Sequence, residues 1–408
     1  MNQEMLEKYA SVIVEVGANI REGDYVQIHG DTESLPLLRE LVRACWQVGA
    51  RDVVTRLADN EISLAKYEEA NKEDLDYFPV FEAEYRESLL KARYHRIYVS
   101  APSLDLFGHI DQSRIQRVQK TALAATEHLD KYMDSGEIKW VVAASPCARW
   151  AKAVYPNLSE QEALDTLWDL VFRICRVDMD DPVVAWKAHD SALKTREKWL
   201  DEQDFAYLHY EGPGTDLICH LADQHKWIGG SSVTPDGVVY IANIPTEEIF
   251  TTPHAMKVNG VVRSTKPLSV MGKIVEDFGF KFENGKVVDF YAGGNGDVLD
   301  SLLGMDEGAR RLGEVALVPD SSPVSRSGIL FKTTLYDENA SCHFALGNAY
   351  AEAVRDGAKR TPEERKALGS NKSMIHIDFM VGGPELDITG YREDGTSAAV
   401  LRQGEWAF

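Results

Sequence analysis

The sequence is short of cations. Its 408 residues carry 44 Lys and Arg against 65 Asp and Glu, a formal net charge of −21. Nucleic-acid binding rests on clustered cations that displace counterions from phosphates, so this balance argues against it. An anionic membrane surface would repel the chain as well. Cysteine is scarce: Cys45, Cys147, Cys175, Cys219 and Cys342 lie far apart and form no CxxC pair. That excludes a disulfide scaffold and a zinc knuckle, and leaves buried, reduced thiols. No apolar run reaches the roughly 18 residues of a membrane span. The first residues, MNQEMLEKYASVIVEVG, place Glu4, Glu7 and Lys8 where a signal peptide needs an apolar stretch, so a cytoplasmic protein is expected. Four catalytic signatures are also missing. The turn after the first strand reads HGDTES instead of GxGxxG, and GxxxxGK[ST], HExxH and GxSxG do not occur.

What is present is a chain with 44% hydrophobic residues, long enough for about two domains. The first half alternates β-type and helical runs. Asp24–His29, Arg51–Leu57, Arg96–Ser100 and Lys139–Ala144 read as strands, and Ser34–Val48 and Gln112–Leu129 as helices. A further helix begins at Ser159, where Glu162 completes a capping box. Strand–helix alternation predicts a parallel sheet covered by helices. Beyond about residue 200 the pattern turns to β-type runs with glycine-rich loops, including Asn284-Gly285, a preferred two-residue hairpin turn. The expectation is an α/β protein: an N-terminal parallel-sheet α/β domain over 1–200, and a C-terminal α+β catalytic domain with a mixed sheet over 201–408.

Metal-suited side chains gather in the second half. Asn243–Pro253, NIPTEEIFTTP, carries Glu247 and Glu248, which point to opposite faces if extended. Arg311–Pro319, RLGEVALVP, sets Glu314 at the mouth of an apolar strand, where a bare charge is costly. Thr334–Tyr350, TLYDENASCHFALGNAY, offers Asp337, Asn339 and Ser341 as N-caps, with Glu338 just before a predicted helix. On that helix His343 and Tyr350 would share a face. Ser373–Met380, SMIHIDFM, projects His376 and Asp378 from one face of a strand, an imidazole–carboxylate chelate suited to Zn, Co or Mn. Two histidines, one aspartate and two or three glutamates exceed the needs of one open zinc site and suit two ions bridged by a carboxylate.

These four motifs, in this order and spacing, resemble the aminopeptidase T / aminopeptidase S family of metallopeptidases. The likeness extends over the whole chain and is densest from about 240 to 380. It implies cytosolic exopeptidases that remove N-terminal amino acids from peptides with a free N-terminus, act as homodimers, and use two divalent ions drawn from Zn, Co, Mn or Mg. Carried over by motif, the implied metal ligands are Glu248, Glu314, Glu338, His343, His376 and Asp378. Glu314 is the implied bridge and Tyr350 the implied catalytic tyrosine. One rival is a mononuclear Fe(II) ring-cleaving dioxygenase of the dihydroxypyridine type, with His343, His376 and Asp378 as its facial set. Another is a binding protein whose acidic loops merely solvate it. Phe250, Trp227 and His254 are further candidates to approach the pocket, though core and loop packing explains each better.

Overall fold

The computed structural model describes every residue except Met1, Ser103, Asp105, Met271 and Gly272, and of Gln112 and Asp134 it describes the backbone alone. The chain forms two compact units, Met1–Ala188 with Ser231–Pro245, and His189–Gly230 with Thr246–Phe408. The change of pattern read near residue 200 thus falls within the helix Pro182–Gln203. The return of 231–245 to the first unit has a local cause. Asn243–Ile244 pairs in parallel with Val142 and Ala143 and extends the first unit's sheet.

The first unit is built on a five-stranded parallel sheet. Its order is Asn243–Ile244, Trp140–Ala144, Tyr94–Ser100, Tyr25–Asp31, Asp52–Ala58. The four longer strands and the helices Leu35–Gln47 and Gln112–Thr126 agree with the sequence reading to within a few residues. Ser159 and Glu162 form the anticipated capping box on Glu160–Ile174: Ser159 Oγ accepts from the Glu162 amide, and Glu162 Oε2 accepts from the Ser159 amide. All five cysteines are free and buried.

The second unit holds two larger sheets, both antiparallel throughout rather than mixed. The reason is local. Successive β-segments here return through tight turns, such as Asn284 and Gly285 at φ 51° and 77°, and lack the helical crossovers a parallel pair requires. Eight strands form the first of these sheets. Five form the second, ordered His376–Met380, His343–Gly347, Leu312–Leu317, Ile249–Thr251, Ile228–Gly229. Along the latter, Val315, Leu317, Phe344, Leu346 and Phe379 point into the unit's apolar core. Strand alternation sends the intervening residues to the opposite face. Among the described residues, no helix is long and apolar enough to cross a membrane.

Candidate metal centre

Three neighbouring strands present the site. Register sets Glu314 opposite Ala345, and Ala345 opposite Asp378. His343 lies opposite Ala316, and His376 opposite Gly347. Charged and imidazole side chains therefore rise around a floor of Ala316, Ala345 and Gly347, whose small side chains leave room between them. Glu248 enters from the residue just before Ile249–Thr251, which pairs with the Glu314 strand.

Two glycines shape this floor. The Leu312–Leu317 strand bulges between Leu312 and Glu314. A bulge re-aims the side chain beside it, here Glu314. At Gly313 a Cβ would sit 2.3 Å from the Asn348 carbonyl oxygen, so the bulge admits no side chain there. Gly347 ends its strand at φ 104°, and a Cβ would come within 2.1 Å of the Ile375 carbonyl oxygen.

The predicted helix carrying His343 and Tyr350 is not formed. Thr334–Asp337 and Glu338–Ala340 make only short helical turns, and His343–Gly347 is a fully buried strand. The cap residues are used otherwise. The Asp337 carboxylate accepts from the amides of Phe331 and Thr333 upstream, and Ser341 is extended at φ −166°. A histidine followed by four apolar or small residues (HFALG) fits a buried strand as well as a helical turn, so periodicity could not separate them. Tyr350 reaches the site by another route, from the turn after the strand. Its ring centroid lies 4.8 Å from that of His376 and 5.7 Å from that of Phe250. Trp227, by contrast, is wholly buried in the core.

Donor atoms converge in two sets, Glu248–Glu314–His343 and Glu314–His376–Asp378, each with its ligand atoms within 4.8 Å of one another. His343 Nε2 is 3.3 Å from Glu248 Oε2 and 3.7 Å from Glu314 Oε1. His376 Nε2 is 3.4 Å from Glu314 Oε2 and 3.2 Å from Asp378 Oδ1. Among the described residues, Glu314 alone belongs to both sets, and it offers one oxygen to each. Glu338 joins neither. Its carboxylate lies 3.5 Å from the Asn339 amide nitrogen. Glu247 turns elsewhere, with Oε2 3.5 Å from His189 Nε2.

Tautomers follow from the opposite edge of each ring. His343 Nδ1 is 3.1 Å from the Ser341 carbonyl oxygen, and His376 Nδ1 is 2.8 Å from that of Asn348. A carbonyl only accepts, so both Nδ1 atoms carry hydrogen. Each Nε2 lone pair then faces carboxylate oxygens, and a cation must lie between them, either a proton or a metal ion. Ligating histidines are typically anchored through the other ring nitrogen in this way. Glu314 Oε2 is buried and receives no hydrogen bond.

The electrostatics agree. Burial alone would lower the pKa of His376, but Asp378 and Glu314 overcome it and push the value up to about 11. His343 is raised likewise by Glu248 and Glu314 against its burial. Burial, followed by the charges of Glu248 and Asp378, drives Glu338 well above the usual carboxylate range. Without metal, this is a site of surplus negative charge that holds on to protons. The residues fit divalent cations.

A profile of the thermophilic metalloprotease (M29) family matches residues 2–406. The chain belongs to that family. It is therefore a metal-dependent hydrolase of peptide bonds. It is 42% identical to "Aminopeptidase AmpS" of Bacillus subtilis (strain 168), over 99% of this chain and 98% of that one. It is 39% identical to "Aminopeptidase 2" of Geobacillus stearothermophilus over the same shares. Among solved structures, "Wild-type AmpT from Thermus thermophilus" superposes with a TM-score of 0.93 at 35% identity, covering 99% of each chain. The Fe(II) dioxygenase reading finds no support. The family match spans nearly the whole chain, and Glu248 and Glu314 stand beside the histidines where a mononuclear facial set has no use for them.

Sequence reasoning passed over Ala316, Gly347 and above all Ala345, whose signal was the small side chain at period two between His343 and Gly347. Replacing Ala345 with leucine is expected to abolish metal retention while costing only about 1–3 kcal/mol in stability. Metal content after gel filtration, alongside thermal melting, checks this. A variant retaining metal at the wild-type ratio would show that the space over Ala345 is not the metal site.

Proposed function

We propose that this chain is an aminopeptidase that hydrolyses the first peptide bond of substrates with a free N-terminus, using two divalent ions. One is held by Glu248, Glu314 and His343 and the other by Glu314, His376 and Asp378, with Glu314 as the bridge. The observation that carries the reading is the pair of donor sets sharing Glu314. The relatives' names support the exopeptidase activity. Bound at such a pair of sites, divalent ions supply a low-pKa water as nucleophile and polarise the scissile carbonyl.

The chain's own groups do the rest. Tyr350 stands against His376, and a phenol keeps its hydrogen near neutral pH and so can act as a donor. It can donate to the oxyanion as the tetrahedral intermediate forms. Glu338, outside both sets, acts as a carboxylate beside the ions: it takes the proton that the attacking water loses and gives it to the leaving amine. Recognition of the substrate's free α-amino group beside the ions confines cleavage to the terminal residue. The same reading carries a cytoplasmic location and a homodimeric assembly.

The test is hydrolysis of a panel of aminoacyl anilides by metal-stripped protein reloaded with Zn, Co, Mn or Mg. Activity restored by at least one metal is expected, and inactivity with all of them would falsify the assignment. Within that assay, Tyr350→Phe is expected to lower kcat about 100-fold with little change in KM, as for loss of one oxyanion donor. Unchanged kcat removes the tyrosine from the mechanism.

A further inference from the structure

We propose that Asn339 is a positioning residue that sets the geometry of the Glu248 half of the metal centre. The inference rests on the two-ion reading above. Asn339 is wholly buried and lies in neither donor set. Its Oδ1 accepts from the Glu247 amide at 2.7 Å, across 92 residues of sequence. Its Nδ2 donates to the Leu335 carbonyl at 2.9 Å and lies 3.5 Å from Glu338 Oε1. Its own carbonyl accepts from Ser322 Oγ at 2.9 Å.

These bonds define a task. The segment bearing Glu248 is fixed downstream, where Ile249 pairs with Leu317 and Gly229. Upstream, the Thr246 carbonyl contacts His189 Nε2 at 2.8 Å and the Glu247 amide meets Asn339. One side chain therefore ties the backbone beside Glu248 to the turn that carries Glu338. Only a side-chain amide offers both an acceptor for the Glu247 N–H and donors for a carbonyl and a carboxylate. Aspartate keeps the acceptor but loses the donor to the Leu335 carbonyl and to Glu338. Alanine leaves the buried Glu247 amide without its acceptor. Its bonded partner, the Glu247 amide, adjoins Glu248, which belongs to one donor set only, so its influence is directed to that half.

The test is calorimetric titration of the metal-stripped protein with Co(II), comparing wild type, Asn339→Asp, Asn339→Ala and Ser322→Ala. Wild type is expected to take up two ions. Both Asn339 variants should keep one ion at near wild-type affinity and bind the other at least about 10-fold more weakly, as for loss of an outer partner of a ligand. Ser322→Ala removes a buried hydrogen bond to the same residue without touching its amide. It should lower the melting temperature while leaving both affinities within about twofold, which separates positioning from general loosening. Two ions bound by the Asn339 variants with unchanged affinities would overturn the inference alone, as would equal weakening by Ser322→Ala. A single ion in wild type overturns the two-ion reading and this inference with it. Should neither Asn339 variant fold, exchange at the wild-type Glu247 amide answers instead. It should slow at least tenfold on loading with both ions, and no slowing refutes the tie.

Discussion

Replacing Glu314 with glutamine is expected to lower kcat/KM on aminoacyl anilides by well over 100-fold. Loss of an outer-shell partner alone reaches about that figure, and here the residue shared by both donor sets is lost. Glutamine keeps the volume, so the bulge at Gly313 and the strand pairing should survive. It does not keep the chemistry. One carboxylate oxygen becomes an NH2 group, which repels a cation and can instead donate to a histidine Nε2. The metal-free variant should still fold but melt below the parent, because Glu314 is a carboxylate partner of both protonated histidines and its loss leaves their buried charge less compensated. Metal analysis is the decisive readout: fewer than two ions per chain at a loading that saturates wild type. A variant that keeps two ions and half its activity would show that Glu314 is not the bridge. Changes at Glu248 or Asp378 should differ in kind, since each belongs to one set and should cost one ion.

The chemistry of this centre was more legible in the sequence than its architecture. His376 and Asp378 declare themselves because period two on a β-type run leaves them one face, and the structure places both there. Glu248 and Glu314 stand out as charges in apolar company. Three features lay beyond reach. HFALG is too short for periodicity to decide between helix and strand, so Tyr350 was placed by a helical face that does not exist. The two-residue strand Asn243–Ile244 is long enough to pair with Trp140–Ala144 but too short to leave a pattern, so the excursion 231–245 was invisible. Asn339 resembled a helix cap because asparagine is common there. Its actual partner, the Glu247 amide, is fixed by tertiary contact and leaves no local trace. What can be read are side chains whose chemistry conflicts with their neighbours. What stays hidden are small or polar residues whose role depends on a distant backbone.

Removing the metal is expected to reverse the sign of the protein's pH dependence between about pH 6.5 and 10. In the metal-free chain His376 titrates at about 11 and His343 above its ordinary value. A group whose pKa is raised by folding contributes stability that is complete below its unfolded pKa and is lost as pH rises through the folded one. Both histidines therefore stabilise the metal-free fold near pH 6 and progressively less toward pH 10. Glu248 and Glu338, raised first by burial, act in the same direction, because ionising them in place costs more than ionising them unfolded. Asp378 has the opposite shift, held low by His376 against its burial, but its contribution is already complete well below pH 6.5 and adds no slope above it. With metal bound the ligands are deprotonated, so affinity tightens as pH rises and binding releases protons. An excess of 1,000 times the dissociation constant adds about 4.1 kcal/mol to stability. Melting temperature should thus fall with pH in the stripped protein and hold or rise in the loaded one, with the gap closing below about pH 5. Calorimetry at pH 7 in buffers of different ionisation enthalpy should register protons released as ions bind, from His343 and His376 at least. Parallel melting curves with and without metal, or binding without proton release, would mean that the cations between these imidazoles and carboxylates are not exchanged for metal, and the centre would have to lie elsewhere.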